Sequence, residues 1–161
     1  MPQLFLVRHT EPRLTGVLLG QVDSPLSEHG LAHAATLLEG VALAMVYSSP
    51  LKRALETAKL IARGAPIEVI ADLREIGFGA WDGRTWADIE ASDPEFAARK
   101  LHDWRGVTLP GAEPWSEFEA RVEQAFERIR NGPRPAAVVA HAGVHNVLAQ
   151  VDLPYGGVHE L

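Results

Sequence analysis

The chain has 161 residues, 47% of them hydrophobic and 22% charged, with 15 Lys and Arg against 21 Asp and Glu for a net charge of −6. It contains no cysteine, which excludes disulfides, thiolate metal sites and a cysteine nucleophile. The acidic balance argues against a broad nucleic-acid surface, and no apolar run approaches the ~20 residues of a membrane helix. The length suits one domain, residues 1–161, able to bury about 70% of its unfolded surface. The start of the chain lacks the basic-then-apolar pattern of a secretory signal, so a cytoplasmic location is the expectation. Any anion would have to be held in a locally positive pocket of an acidic protein.

Residues 3–8 read as a buried strand that stops abruptly at Arg8-His9. Residues 9–26 are rich in turn formers, among them Gly16, Gly20 and Pro25. Ser27 is placed to cap a helix with Glu28 in its first turn. Leu31, Ala34, Ala35 and Leu38 would form its apolar face and Gly40 its stop. A second strand runs from Ala44 to Tyr47 and ends in Ser48-Ser49-Pro50. The next helix starts near Pro50, with Leu51, Ala54, Leu55, Ala58 and Ile61 inward, and Gly64 and Pro66 close it. Ile67 to Ile70 is a third short strand.

Residues 72–86 follow no period and carry Glu75, Gly77, Gly79, Trp81, Asp82 and Gly83. Residues 85–104 look helical with a break near Pro94, and Trp104 to Pro114 reads as a loop. Ser116 and Glu119 have the spacing of a capping box. The helix behind them sets Phe118, Val122, Ala125, Phe126 and Ile129 on one side, and Gly132, Pro133 and Pro135 end it. Ala136 to Ala140 is a fourth strand, followed by His141 and by a last helix from Gly143 through Gln150. Strands alternating with helices imply a mostly parallel sheet covered on both faces.

Parallel strands place their exits along one edge, where open α/β sheets bind ligands. Arg8 and His9, then Ser48-Ser49 with Arg53 in the following helix, then His141 all fall at such exits. Two arginines and two histidines converging there suit a phosphoryl group, whose spread charge needs fixed positive partners. His9 is the candidate nucleophile and Arg8 the group that holds the anion it attacks. A carboxyl must still protonate the leaving oxygen, and Glu75, in the aperiodic Gly-rich segment, is the candidate.

These residues belong to an ordered set of motifs. Leu6-Val7-Arg8-His9-Thr10 opens it, and Asp23-Ser24-Pro25-Leu26-Ser27-Glu28-His29-Gly30 follows. Next come Ser48-Ser49-Pro50-Leu51-Lys52-Arg53 with Ala54-Leu55-Glu56-Thr57-Ala58, and then Leu73-Arg74-Glu75-Ile76-Gly77-Phe78-Gly79-Ala80-Trp81-Asp82-Gly83. Leu109-Pro110-Gly111-Ala112-Glu113 and Val139-Ala140-His141-Ala142-Gly143 complete it. In this order the set resembles the histidine phosphatase superfamily, also called phosphoglycerate mutase-like. The resemblance implies a three-layer α/β/α sandwich with a mostly parallel central sheet. It implies that His9 attacks phosphorus, that Arg8, Arg53 and His141 bind the phosphoryl oxygens, and that Glu75 serves as acid and then as base. No metal or other cofactor is expected. Thr15 stands near where relatives carry a phosphate-binding Asn. Gln21 and Ala142 join the expected substrate-binding residues. Residues 84–115 are expected to form a helical and loop insertion over the pocket. Only 20 residues follow His141, where relatives continue to a further strand, so the pocket is expected to be open or lidded by residues 84–115.

The acid loop has the form seen in small phosphatases, including α-ribazole phosphatases, rather than that of the mutases. The expected substrate is a small phosphomonoester, with no nucleic acid or membrane partner; a homodimer is left open. Trp81, Trp86, Trp104 and Trp115 could line a substrate mouth or simply pack. Three rival readings stand beside hydrolysis. One is mutase-type phosphoryl transfer. Another is a non-catalytic phospho-ligand domain of the same fold. The last is a zinc hydrolase using His29/His33 or His141/His145, each spaced i, i+4.

Overall fold

The computed structural model describes residues 3–161. Its central strands are buried on both faces, the pattern of a sheet covered on both sides. β1 (Leu4–Arg8), β2 (Met45–Ser48), β3 (Ile67–Val69) and β4 (Ala136–Ala140) lie parallel in the order β3-β2-β4-β1. β5 (Val158–Glu160) joins the far edge antiparallel to β1. Register pairs Arg8 with Ala140 and Ser48 with Val139, so the exits of β1, β4 and β2 are neighbours.

The helices are α1 (Glu28–Ala34), α2 (Lys52–Ala62), α3 (Trp86–Ser92), α4 (Pro94–His102), α5 (Trp115–Arg130) and α6 (Ala142–Ala149). Successive strand side chains point to opposite faces. Leu4, Leu6, Ala136, Val138 and Ala140 therefore share a core with Phe118, Val122 and Ile129 of α5 and Val144 of α6. Phe5, Val7, Ala137 and Val139 pack on the other side against Ala54, Ala58 and Ile61 of α2. The result is a three-layer α/β/α sandwich with a mostly parallel sheet. A smaller cluster of Trp81, Ile89, Ala97 and Leu109 forms beneath α3 and α4. Thr85 caps α3, and Asp93 caps α4 with Pro94 in its first turn, so the break expected at Pro94 is a boundary between two helices. No helix among the described residues is long and apolar enough to cross a membrane.

Several local expectations give way. The helix after Ser27 stops at Ala34, and of its four expected inward residues only Ala34 is deeply buried; Leu31 is 38% exposed. The chain then turns, and Leu37 and Leu38 both reach the α2 side of the core. Leu38 takes a left-handed conformation there, φ 52°. The capping box does not form either. Pro114 occupies the cap position, so Ser116 lies inside the first turn, and Pro114 contributes only its carbonyl, which accepts from Glu117 and Phe118 N–H. Finally, the residues after His141 do supply a further strand, β5, short as they are.

Candidate active site

The sheet ladder carries past the strand ends. His9 N–H donates to the Ala140 carbonyl at 3.1 Å and Ser49 N–H to the Val139 carbonyl at 3.0 Å, which fixes where each exit residue begins. The His9 and His141 rings then lie 5.3 Å apart between centroids. His9 Nδ1 is 2.8 Å from the Thr10 carbonyl. A carbonyl only accepts, so Nδ1 carries the proton and Nε2 keeps its lone pair. Thr10 is held in turn, its hydroxyl donating to the Gly30 carbonyl at 2.7 Å. Burial, joined by the charges of Arg53 and Arg8 and opposed only in part by the Thr10 carbonyl, lowers the His9 pKa to about 3. The ring is neutral at any ordinary pH.

Arg53, in the first turn of α2, is 1% exposed. The loop before α1 grips its guanidinium: Nη1 donates to the Val22 carbonyl at 2.8 Å, and Nη2 to those of Gly20 at 2.6 Å and Leu19 at 3.2 Å. That loop is itself tied down by Asp82, which accepts from Gly20 N–H at 2.8 Å and Gln21 N–H at 2.9 Å. Arg8 donates to the Leu153 carbonyl at 2.9 Å and stacks on Tyr155, its Cζ 4.4 Å from the ring centroid. Tyr155 also lies 5.7 Å from the His9 ring. Among the described residues, the buried Nε of each arginine has no partner.

His141 sits at the N-cap of α6, fully buried. Its Nε2 is 2.8 Å from Ser49 Oγ, which already accepts from Leu51 N–H at 3.3 Å. The other ring nitrogen, Nδ1, is buried and without a partner among the described residues. With its proton on Nδ1 this histidine is suited to donate to a phosphoryl oxygen. Burial holds its pKa well below the ordinary histidine value, with Arg53 and His9 adding to the effect. One turn on, His145 Nε2 donates to the Val7 carbonyl at 2.9 Å. The two α6 histidines thus serve different partners. On α1 the His29 and His33 rings are 6.3 Å apart.

Glu75 is buried beside this cup. Its Oε2 accepts from Gly143 N–H at 3.0 Å and its Oε1 from Ile76 N–H at 3.0 Å. Position 143 must be glycine for this approach, because a Cβ there would overlap Glu75 Oε1. Burial raises the Glu75 pKa; the two N–H bonds and the charges of Arg53 and Arg8 offset part of the rise. The backbone around it is clamped by Arg121 of α5, all of whose N–H groups are engaged. Nε and Nη2 grip the Glu113 carboxylate at 2.6 and 2.9 Å. Nη1 donates to the carbonyls of Asp72 at 2.7 Å and Arg74 at 2.8 Å, and Nη2 to that of Glu75 at 3.1 Å. Glu113 also accepts from Gly77 N–H at 3.2 Å.

Arg8, His9, Arg53, Glu75 and His141 are thus brought to one sheet edge. Ala142 adjoins them, lining a cavity that Glu75 and Gly143 also line. Thr15 is exposed on its loop and makes no hydrogen bond to the cup among the described residues. Gln21 lies against Gly77 and lines a different, polar cavity with Asp82 and Glu113. Of the tryptophans, Trp104 and Trp115 line the cavity beside Glu75, whereas Trp81 is buried in the small cluster under α3 and α4 with Trp86 packed against it. Sequence reasoning missed Ser49 as a partner of His141, Arg121 as the clamp on Glu75, and Tyr155. The turn 153–157 borders the exit of β1. Gly156 N–H donates to the carbonyls of Arg8 and His9, both at 3.1 Å, in a left-handed conformation, φ 72°, with His33 packed where a Cβ would stand.

A family model for the histidine phosphatase superfamily (branch 1) matches residues 4–156. The adenosylcobalamin/alpha-ribazole phosphatase of Escherichia coli strain K12 is 32% identical over 155 residues, covering 91% of this chain and 76% of that protein. Phosphoserine phosphatase 1 of Hydrogenobacter thermophilus is 33% identical over 166 residues, covering 95% of this chain and 79% of its own length. The solved alpha-ribazole phosphatase of Shigella flexneri is similar with a TM-score of 0.86 at 27% identity, over 98% of this chain and 89% of that one. The chain belongs to branch 1 of the histidine phosphatase superfamily and is a histidine acid phosphatase-type hydrolase of small phosphorylated metabolites.

Proposed function

We propose that this protein hydrolyses phosphomonoesters through a phosphohistidine at His9. Nε2 of His9 attacks phosphorus and the bond from phosphorus to the ester oxygen breaks. Glu75 delivers its proton to that oxygen, and the alcohol leaves. The Glu75 carboxylate then takes a proton from water, whose oxygen attacks the phosphohistidine and breaks the P–N bond. Inorganic phosphate departs and Glu75 is again protonated. Arg8, Arg53 and His141, whose Nδ1 has no protein partner among the described residues, stabilise the charge on the phosphoryl oxygens throughout.

One observation carries this reading. A neutral imidazole, its Nδ1 proton fixed by Thr10, and a buried carboxyl that favours its protonated form both lie in the field of the Arg8 and Arg53 guanidiniums. That is the protonation pattern the first step needs. Among substrates we put α-ribazole 5′-phosphate first, because the Escherichia and Shigella relatives are named for it; phosphoserine is the comparator from the Hydrogenobacter relative.

The test is turnover of p-nitrophenyl phosphate without added metal, then of a phosphometabolite panel. His9→Ala should lower the rate by roughly 10³-fold or more. An alkaline quench with labelled substrate should leave phosphorus on His9. Label on another residue, or a His9→Ala rate close to wild type, would overturn the mechanism.

A further inference from the structure

Successive side chains of a strand point to opposite faces, so Arg8, the last residue of β1, and His9 just past it do not converge on one group by default. One segment borders both. In the turn 153–157 the Leu153 carbonyl accepts from Arg8 Nη1 at 2.9 Å. The Tyr155 ring lies 4.4 Å from Arg8 Cζ and 5.7 Å from the His9 ring. The turn does not depend on the tyrosine side chain for its place. Gly156 N–H donates to the Arg8 and His9 carbonyls, Arg8 N–H donates to the Gly157 carbonyl at 3.0 Å, and Gly157 N–H to that of Pro154 at 2.8 Å. Main-chain bonds therefore present the ring to the site.

Arg8 needs such a neighbour. Burial lowers its pKa, and none of the ion pairs among the described residues includes it. Among those residues its guanidinium makes one hydrogen bond, to Leu153, and its buried Nε has no partner. A carboxylate at position 155 would balance the charge, but it would also occupy the N–H groups and cancel the positive field that an incoming phosphoryl group meets. A ring face attracts the guanidinium through its quadrupole, across the plane in which the N–H groups lie. The cation is held and its donors stay free. Arg53 is held by other means, its fork fixed by three main-chain carbonyls.

We propose that Tyr155 is a positioning residue of the phosphoryl site: the face of its ring sets the Arg8 guanidinium beside His9 and leaves Nε and the remaining N–H groups to the phosphoryl oxygens. This rests on the phosphoryl-binding role given above to Arg8. The ring, and not the hydroxyl, carries the effect, and it acts through Arg8.

The experiment titrates the protein with inorganic phosphate in a calorimeter, a readout that needs no turnover. A cation held over a ring corresponds to about twofold to thirtyfold in an equilibrium constant. Tyr155→Leu should weaken phosphate by a factor in that range and lower kcat/KM for p-nitrophenyl phosphate at least as much. Tyr155→Phe should recover most of both losses. In an Arg8→Gln background Tyr155→Leu should add less than about twofold. Tyr155→Met takes the place of the leucine variant if that one unfolds. Phosphate affinity unchanged in Tyr155→Leu, in a protein that His9→Ala still inactivates, would overturn the proposal and spare the phosphohistidine. Tyr155→Phe as weak as Tyr155→Leu would transfer the role to the hydroxyl and overturn it too. So would an undiminished effect of Tyr155→Leu in the Arg8→Gln background, the mark of a loosened turn. Turnover that survives His9→Ala, while Tyr155→Leu still weakens phosphate, would sink the phosphohistidine and support the positioning of Arg8.

Discussion

His9 and Glu75 are tuned in opposite senses by one cause. Burial disfavours the charged form of each, so the imidazole is driven to stay neutral and the carboxyl to stay protonated. The acid limb of the pH profile should therefore not arise from His9, which gains its proton only near pH 3. The alkaline limb should arise from Glu75 losing the proton it must donate. Glu75→Gln tests this. It should cost about 10²–10⁴-fold on an alkyl ester, whose alkoxide needs the proton. It should cost far less on p-nitrophenyl phosphate, whose leaving group departs as a stable anion. Equal losses on both esters would remove Glu75 from the role of acid. At this scale Arg8, His9 and His141 are legible from sequence, because each stands directly after a run that can only be a buried strand. Tyr155 is not, since nothing local marks a tyrosine in a Gly-rich turn as the partner of an arginine far back in the chain.

At the scale of elements, the loop that bears Glu75 runs between two short 3-10 turns, Ala71–Leu73 and Gly79–Trp81, and is held by its neighbours. Arg121 on α5 and Glu113 hold one side, and Asp82 ties the other to the loop around Arg53. Hydrogen bonds to charged groups are worth about 1.5–3 kcal/mol. Arg121→Ala should therefore lower the unfolding free energy, measured in urea, by about that amount or more. It should also reduce kcat more than it raises KM and shift the alkaline limb set by Glu75. Lysine at 121 should recover little of this, because a single ammonium cannot copy the planar fork. A stability loss with an unmoved alkaline limb would make Arg121 structural only. The inward face of α5 was readable from its spacing. Arg121 was not, because a charged residue on a helix ordinarily reads as solvated. The Ser116 capping box failed for a related reason: Pro114 and the preceding loop set the helix start two residues earlier than spacing alone suggests.

Across the whole molecule, three buried neutral histidines gather under one sheet edge, and His9 and His145 hold pKa values of about 3 and about 4. The unfolded chain takes up these protons below the ordinary histidine value of about 6.5, while the native protein does not. Their stabilising contribution is therefore fully present above about pH 6.5 and lost as pH falls towards 3. Each proton is worth about 1.4 kcal/mol per pH unit in that window. Glu75 acts in the other sense: its raised pKa favours the fold at acid pH, and that share is lost as pH rises through its native value. Urea unfolding at pH 4.5 and 7.5 should show the acid loss, and His145→Asn should reduce it by about 2 kcal/mol. An identical acid loss in the variant would show that His145 is not neutral in the native state.

Residue order alone determined the layered α/β/α fold, the strand exits and the cationic set gathered there, because apolar periodicity encodes which faces are buried and parallel strands share one exit edge. Packing alone decided what holds that set in place. Arg8 finds the Leu153 carbonyl 145 residues away and His145 the Val7 carbonyl 138 residues away, and Arg105 crosses to Asn146 to edge the cavity. Such polar partners leave no periodic trace, since a hydrogen bond depends on where two distant segments meet and not on the local pattern of either.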